Sequence, residues 1–444
     1  MLNETHRPDL RSWVASANDG ATDFPIQNLP YGVYRRRRSD EPWRVGVAIG
    51  AMILDVAAAH QAGFLDGEAG RAARTCASPS LNGLMSLGPT SWSALRRAVS
   101  DVLRDDTDAG RAARGRAGSL LLAQEAAEMR LPADVSDYTD FYASVYHATN
   151  VGSMFRPDHP LLPNYKWVPI GYHGRASSLV VSGTPVVRPH GQLAGDEGAP
   201  PSRAPSRRMD YEAELGIFVG RGNALGDVIP IEEAADHLFG VALLNDWSAR
   251  DIQAWEYQPL GPFLAKNFAT TLSPWVVTFE ALAPFRVPAF ARAIGDPVPL
   301  PYLADAADQA HGGIDLQIEV WLRTERMRNE GLDAVQLSHG TSRDLYWTMA
   351  QLLTHHASNG CNLQPGDLLG SGTISGADKT SRGCLLELTW RGTEPITLPN
   401  GEVRRFLEDG DEVILRAHGV RAGHVSIGLG ECSGIVRPAI PLTF

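Results

Sequence analysis

Paired cysteines, long apolar runs and the common nucleotide and hydrolase signatures are all missing from this sequence, and each absence removes a class of protein. Cys76, Cys361, Cys384 and Cys432 stand far apart with no C-x-x-C pair, so neither a disulfide framework nor a zinc site is indicated. No stretch approaches the roughly 18 consecutive apolar residues of a membrane span. The opening Met1-Leu2-Asn3-Glu4-Thr5-His6-Arg7 has no apolar secretory core, so a reducing, cytoplasmic compartment is expected. G-x-S-x-G, H-E-x-x-H and the Walker G-K-[ST] are absent. The glycine-rich stretches at 220–226 and 370–376 read G-x-G-x-x-x-G, not the dinucleotide spacing, and are expected to be turns. Positive charge is also in deficit: a formal net charge of -11 argues against nucleic acid or an anionic membrane as partner. The run Arg35, Arg36, Arg37, Arg38 is read as a solvated turn.

What is present is ordinary globular material. The 444 residues, 43% apolar and 20% charged, exceed one typical domain and can bury a large core. Residues 1–130 read as a small α+β module. Val45, Val47, Ile49, Met52 and Leu54 suggest strands there, and Leu95, Ala98, Val99, Val102 and Leu103 suggest an amphipathic helix. The Arg-rich stretch 104–118 looks solvent-facing, and Leu131-Pro132 is a natural boundary. From 131 to 444 the pattern is β-rich, with strands expected at 179–181, 213–219, 275–279, 314–322, 385–390 and 412–415 and a helix at 344–356. The proline-rich stretches 189–206 and 284–301 are read as long connections.

The sharpest chemical feature is D-Y-E-A-E at 210–214, running into the apolar Leu215 to Val219. A period of two puts these acids on one strand face, and the buried run beyond them carries the face toward a core. A second acid, Asp246, stands where an apolar strand gives way to polar residues. Capping a helix that begins near Trp247 is an equal alternative for it. A third cluster, Asp137 and Asp140, is closely followed by His147. If Asp140, Glu212, Glu214 and Asp246 converge, they offer hard oxygen ligands suited to Mg²⁺, Ca²⁺ or Mn²⁺ over zinc. His147 is then free to act as a general base, and Glu387, an acid in an apolar segment, needs a buried partner. His355-His356 is read as packing or capping.

D-Y-T-D-F-Y at 137–142, H-A-T-N-V-G at 147–152, G-Y-H-G-R-A-S at 171–177, N-D-W-S-A-R-D-I-Q at 245–253 and S-G-T-I-S-G at 371–376 together resemble the fumarylacetoacetate hydrolase family. The resemblance covers residues 131–444; the segment before it has the length of that family's N-terminal domain. It implies an α+β, β-rich protein, with an SH3-like β-barrel at 1–130 and a mixed β-roll catalytic domain at 131–444. It implies a homodimer and metal-dependent cleavage of 4-fumarylacetoacetate to fumarate and acetoacetate, the last step of tyrosine breakdown. Position by position, Asp140, Glu212, Glu214 and Asp246 match divalent-metal carboxylates, with Lys266 and Thr270 completing the surroundings of a Mg²⁺ or Ca²⁺ ion. His147 matches the base and Glu387 the acid that orients it. Arg250, Gln253 and Lys266 match the groups that stabilise oxyanion and leaving group, and Tyr142, Arg156, Tyr172, Gln253, Tyr257 and Thr373 match substrate contacts. Ala265 and Ala269 stand where the family pattern has glycine. A same-fold hydrolase, decarboxylase-isomerase or tautomerase acting on another oxo acid, such as an acylpyruvate, is the alternative.

Overall fold

The computed structural model describes residues 2–196 and 198–441, a β-rich α+β chain built on three principal sheets. The first is antiparallel, in the order Leu121–Ala123, Met52–Asp55, Arg44–Ile49, Tyr31–Arg36, Ala127–Arg130, with the helices Gly67–Thr75 and Pro89–Leu103 beside it. The basic run therefore begins inside a strand: Arg35 and Arg36 end Tyr31–Arg36, paired with Glu128 and Glu41, and only the residues after them turn.

The second sheet positions the site. Its order is Gly171–His173, Tyr138–Phe141, Leu368–Gly370, Ala213–Val219, Leu238–Asp246, Thr270–Leu272, Leu179–Val181. Ala213–Val219 and Leu238–Asp246 are buried at every position. Both faces of these strands are covered, so their sequences are near-continuous apolar runs in which an acid is conspicuous. The third sheet, Val335–Thr341, Gln317–Arg323, Glu412–Gly419, Ile427–Arg437 and Val186–Val187, shows strict alternation of buried and half-exposed positions in Gln317–Arg323 and Glu412–Gly419. The main core, including the fully buried Trp247 and Trp347, fills the space between the second and third sheets.

A second core joins the first sheet to the second. Tyr31 bridges to Val276, and Phe239 of Leu238–Asp246 packs edge-on against Trp92 and tilted against Tyr31, both from the N-terminal region. No apolar gap separates the two regions.

Several elements depart from the sequence expectations. Segment 385–390 is not a strand: Leu385–Leu388 is one helical turn, with the backbone N–H groups of Leu385 and Leu386 accepted by the Asp210 carboxylate. A short apolar run cannot reveal its period, and the deciding acceptor lies 175 residues upstream. The helix expected at 344–356 is Met349–Ala357, because Thr348 and Gln351 form a capping box that fixes its start. Asp246 is the last residue of its strand, not a helix cap; the following helix is Arg250–Glu256. Stretch 189–206 holds a hairpin, His190–Leu193 with Ser202–Pro205; its Glu197 lies outside the described residues. Gly191 in that hairpin is required by close approach, since a Cβ there would sit 2.4 Å from Ile252. Stretch 104–118 contains the helix Asp108–Arg114, and 275–279 keeps only Val277–Thr278 as strand. Among the described residues, no helix is long and apolar enough to cross a membrane.

Phe239→Ala removes the ring that both regions share. It should cost about 3–5 kcal/mol, the usual scale for a buried phenylalanine, read as a lowered denaturant midpoint. An unchanged midpoint would show that the joint core contributes little.

Candidate active site

Strand register gathers the acids. Asp140 pairs with Tyr172 on one side and Gly370 on the other, and Asp246 pairs with Thr270. Gly370 leaves necessary room, because a Cβ there would stand 2.7 Å from Asp140 Oδ1 and 3.1 Å from Glu214 Oε2. Asp140, Glu212, Glu214 and Asp246 each place a carboxylate oxygen within 4.8 Å of the others, and all four are buried.

Such a cluster is electrostatically incomplete. Lys266 Nζ donates to Glu212 Oε2 and to Asp246 Oδ2, the latter at 2.6 Å. Thr270 Oγ1 and Tyr172 OH donate to Asp246 at 2.9 and 3.1 Å. Arg250 Nη1 lies 2.7 Å from Glu212 Oε1. Burial alone pushes the Glu212 carboxyl up, but Lys266 and Arg250 outweigh it and hold it at about 2. Asp246, with Lys266 as its cationic neighbour, is raised by burial. Burial and neighbouring carboxylates push Asp140 and Glu214 well above the ordinary carboxylate range. Asp140 Oδ1 and Glu214 Oε1 are buried without any hydrogen-bond partner among the described residues. Orphaned lone pairs on converging carboxylates fit a hard divalent cation, and the absence of Cys or His donors from the set disfavours zinc. The backbone supports the same arrangement: Gly372 N donates to Glu214 Oε2 at 3.1 Å from a φ of 74°, where a Cβ would collide with the Phe141 carbonyl.

A second group adjoins the first. His147 lies in the first turn of Val145–Phe155, whose cap Ser144 accepts its N–H at 3.3 Å. Its Nδ1 is 2.6 Å from Glu387 Oε2, across 240 residues of sequence. Asn150, one turn further along, donates to Glu387 Oε1 at 2.8 Å, and Ser375 Oγ and Cys384 Sγ donate to Oε2 at 2.8 and 3.1 Å. Burial pushes Glu387 up, but His147 and these donors overcome it and bring the carboxyl to about 2. An ionised carboxylate only accepts, so the hydrogen of this bond sits on His147 Nδ1, and the neutral form of the ring presents a bare Nε2. Cys384 also lies close enough for these three side chains to bind an ion, but the Glu387 oxygens are already occupied by four donors.

The remaining candidates are placed as follows. Arg250 Nη1 reaches Gln253 Oε1 at 3.1 Å, and its Nη2 is buried without a partner among the described residues. Tyr142 packs edge-on against the His147 ring at 5.2 Å. Thr373 Oγ1 is buried without a partner among the described residues. Arg156 donates to the Pro160 carbonyl at 3.2 Å, and Tyr257 ends Arg250–Glu256; among the described residues neither is hydrogen-bonded to the carboxylates or His147. A cavity of about 180 Å³ opens beside the cluster, lined by Tyr172, His173, Arg175, Asp246, Lys266 and Thr270. Asp210 stands in the acid alternation at 210–214 without a role of its own, and Asn150, Ser375 and Cys384 are not among the expected site residues. Of these three, Asn150 alone has a local signal, its helical i+3 spacing from His147.

Fold and site together define a class: a β-rich enzyme with a divalent-cation centre beside a carboxylate-held imidazole. The chain belongs to the fumarylacetoacetate hydrolase family. The family model "Fumarylacetoacetate (FAA) hydrolase C-terminal" matches residues 137–437 and "Fumarylacetoacetase N-terminal" matches 27–132. The chain is 48% identical to the fumarylacetoacetase of Bos taurus, with 97% of this chain and 99% of that one covered. It is 47% identical to the fumarylacetoacetase of Homo sapiens, at 97% and 99% coverage. Among solved structures, a fumarylacetoacetate hydrolase from Exiguobacterium antarcticum shares the fold, with a TM-score of 0.50, 16% identity and coverage of 92% of this chain and 99% of that one.

The raised carboxyls of Asp140 and Glu214 favour the metal-free fold fully below the unfolded carboxylate pKa, and that contribution is lost as pH rises through their folded values. Glu214→Gln should therefore raise the Tm of chelator-treated protein at pH 7, and the gain should vanish toward pH 4. The same change should shrink the stabilisation by saturating Mg²⁺, which for the native protein is about 2.7 kcal/mol at 100 times Kd. Equal behaviour of the two proteins with and without cation would contradict the cluster's role.

Proposed function

We propose that this chain hydrolyses the carbon-carbon bond of 4-fumarylacetoacetate, releasing fumarate and acetoacetate. The observation that carries the reading is the His147 imidazole, held at Nδ1 by Glu387 with Nε2 left to face water, next to four buried carboxylates and an Arg250 Nη2 that has no partner among the described residues. Similarity to fumarylacetoacetases over nearly the whole chain supplies the substrate.

In this reading His147 Nε2 takes a proton from water while the hydroxyl adds to the keto carbon. Glu387 keeps the ring oriented and stabilises its charged form. Arg250 Nη2, with Gln253 and Lys266, donates to the oxygen on which negative charge develops. The carbon-carbon bond then breaks with its electron pair leaving on acetoacetate, and the proton held by His147 returns to that carbon. Asp140, Glu212, Glu214 and Asp246, with Lys266 and Thr270 beside them, would hold a Mg²⁺ or Ca²⁺ ion, which would supply Lewis-acid stabilisation of developing negative charge. Tyr142, Arg156, Tyr172, Gln253, Tyr257 and Thr373 bind the substrate; guanidinium and phenol groups suit its carboxylates.

The reading extends to an SH3-like barrel at 1–130 preceding the catalytic domain at 131–444, to a cytoplasmic location in keeping with four unpaired thiols, and to a homodimer. Exposed Leu260, Phe263, Ile294 and Val298 are apolar surface of the kind a second copy covers.

Turnover is followed by loss of the conjugated-diketone absorbance. His147→Ala should lower kcat about 10²-fold or more, Glu387→Gln by less, and the double variant by no more than His147→Ala alone, because the pair acts as one unit. Metal-replete protein inert toward fumarylacetoacetate but active on acylpyruvates would overturn the substrate assignment. Sedimentation should show twice the mass of the chain at micromolar concentration; a monomer would refute the dimer.

A further inference from the structure

We infer that Asp210 is a positioning residue that sets Arg250 and the Glu387 turn in one fixed relation. The inference rests on the roles proposed above for Arg250 and Glu387. Asp210 is completely buried. Its Oδ2 accepts from Arg250 Nε at 2.8 Å and from the Leu386 N–H at 2.9 Å; its Oδ1 accepts from the N–H groups of Leu385 at 2.8 Å and Tyr211 at 2.9 Å. One carboxylate therefore holds the side chain that presents the free donor and the backbone immediately before Glu387.

Two features separate this from simple neutralisation of a buried guanidinium. Glu212 already supplies Arg250 with a counter-charge at Nη1, and Gln253 accepts there as well. A planar guanidinium held at Nη1 alone can still pivot; a second acceptor at Nε fixes the plane. With Nε on Asp210 and Nη1 on Glu212 and Gln253, Nη2 has one direction available, and it is the buried nitrogen without a partner. The other half of the carboxylate stops the turn Leu385–Leu388 from sliding. Loss of Asp210 would thus move the Arg250 donor relative to the His147–Glu387 pair while leaving both present. In the D-Y-E-A-E segment, alternation places Asp210 on the same face as Glu212 and Glu214, yet it is not one of the converging carboxylates.

The test uses full-length enzyme saturated with Mg²⁺. Asp210→Asn keeps the volume, but its single amide oxygen cannot accept from Arg250 and the three backbone N–H groups together. The expected result is a fall in kcat of about 10²-fold with KM and the Mg²⁺ activation midpoint within about threefold of native. Asp210→Glu should recover part of the loss. Arg250→Ala should be strongly impaired, and the double variant should lose clearly less than the product of the two single losses, since part of the Asp210 effect passes through that side chain. Native turnover in Asp210→Asn beside an impaired Arg250→Ala would overturn the inference and leave the Arg250 assignment standing. So would fully additive losses, or a loss matched by a proportional fall in correctly folded enzyme. An active Arg250→Ala would instead refute the underlying reading. Should neither Asp210 variant fold, Arg250→Lys decides: it keeps a charge but carries its donors on one freely rotating nitrogen, without the separate Nε, Nη1 and Nη2 that Asp210 and Glu212 hold in a plane, so turnover should drop at least tenfold, and native turnover would overturn the inference.

Discussion

Four carboxylates brought within 4.8 Å of one another inside a protein are the constraint on which the rest of this structure depends. Burial removes the water that would screen them, and proximity makes each raise its neighbours' proton affinity. Two cationic side chains, Lys266 and Arg250, face five carboxylates once Asp210 is included. With every carboxylate ionised, three negative charges would be left in excess, and without a cation Asp140 and Glu214 hold their protons well above the ordinary carboxylate range instead. A divalent cation cancels most of that excess, and the orphaned oxygens of Asp140 and Glu214 are where it is least satisfied.

The scaffold meets this constraint with rigid elements. Asp140, Glu214 and Asp246 stand on strands of one sheet, Glu212 immediately precedes the strand that carries Glu214, and the two central strands are buried along their whole length. Glycine at 370 and 372 makes space where any side chain would intrude. The imidazole site uses a helix instead, and the helix brings His147 and Asn150 to opposite oxygens of one carboxylate. Arg250 links the two sites through Glu212 on one side and Asp210 on the other.

What was legible in the sequence follows from the range of each signal. The alternation of Glu212 and Glu214 and the apolar run behind them are local, and they mark a strand whose acids face inward. The β-rich α+β class and the amphipathic helix Pro89–Leu103 were legible for the same reason. Leu385–Leu388 was not, because its turn depends on an acceptor 175 residues away. Asn150, Ser375 and Cys384 gave no sign that they share one carboxylate, since only the folded chain brings residues 147, 150, 375, 384 and 387 together. The sharing of a core between Tyr31, Trp92 and Phe239 was equally hidden: nothing in a run of apolar residues says which other run it will meet.

The central claim is that the buried acids exist to hold one hard cation. Anomalous diffraction at the manganese edge from crystals soaked in Mn²⁺, a stand-in for Mg²⁺ with the same preference for oxygen ligands, tests it most directly. A single peak bounded by carboxylate oxygens of Asp140, Glu212, Glu214 and Asp246 is the predicted result. An empty map at that position with Lys266 Nζ filling the space, or a peak among His147, Cys384 and Glu387 instead, would contradict it.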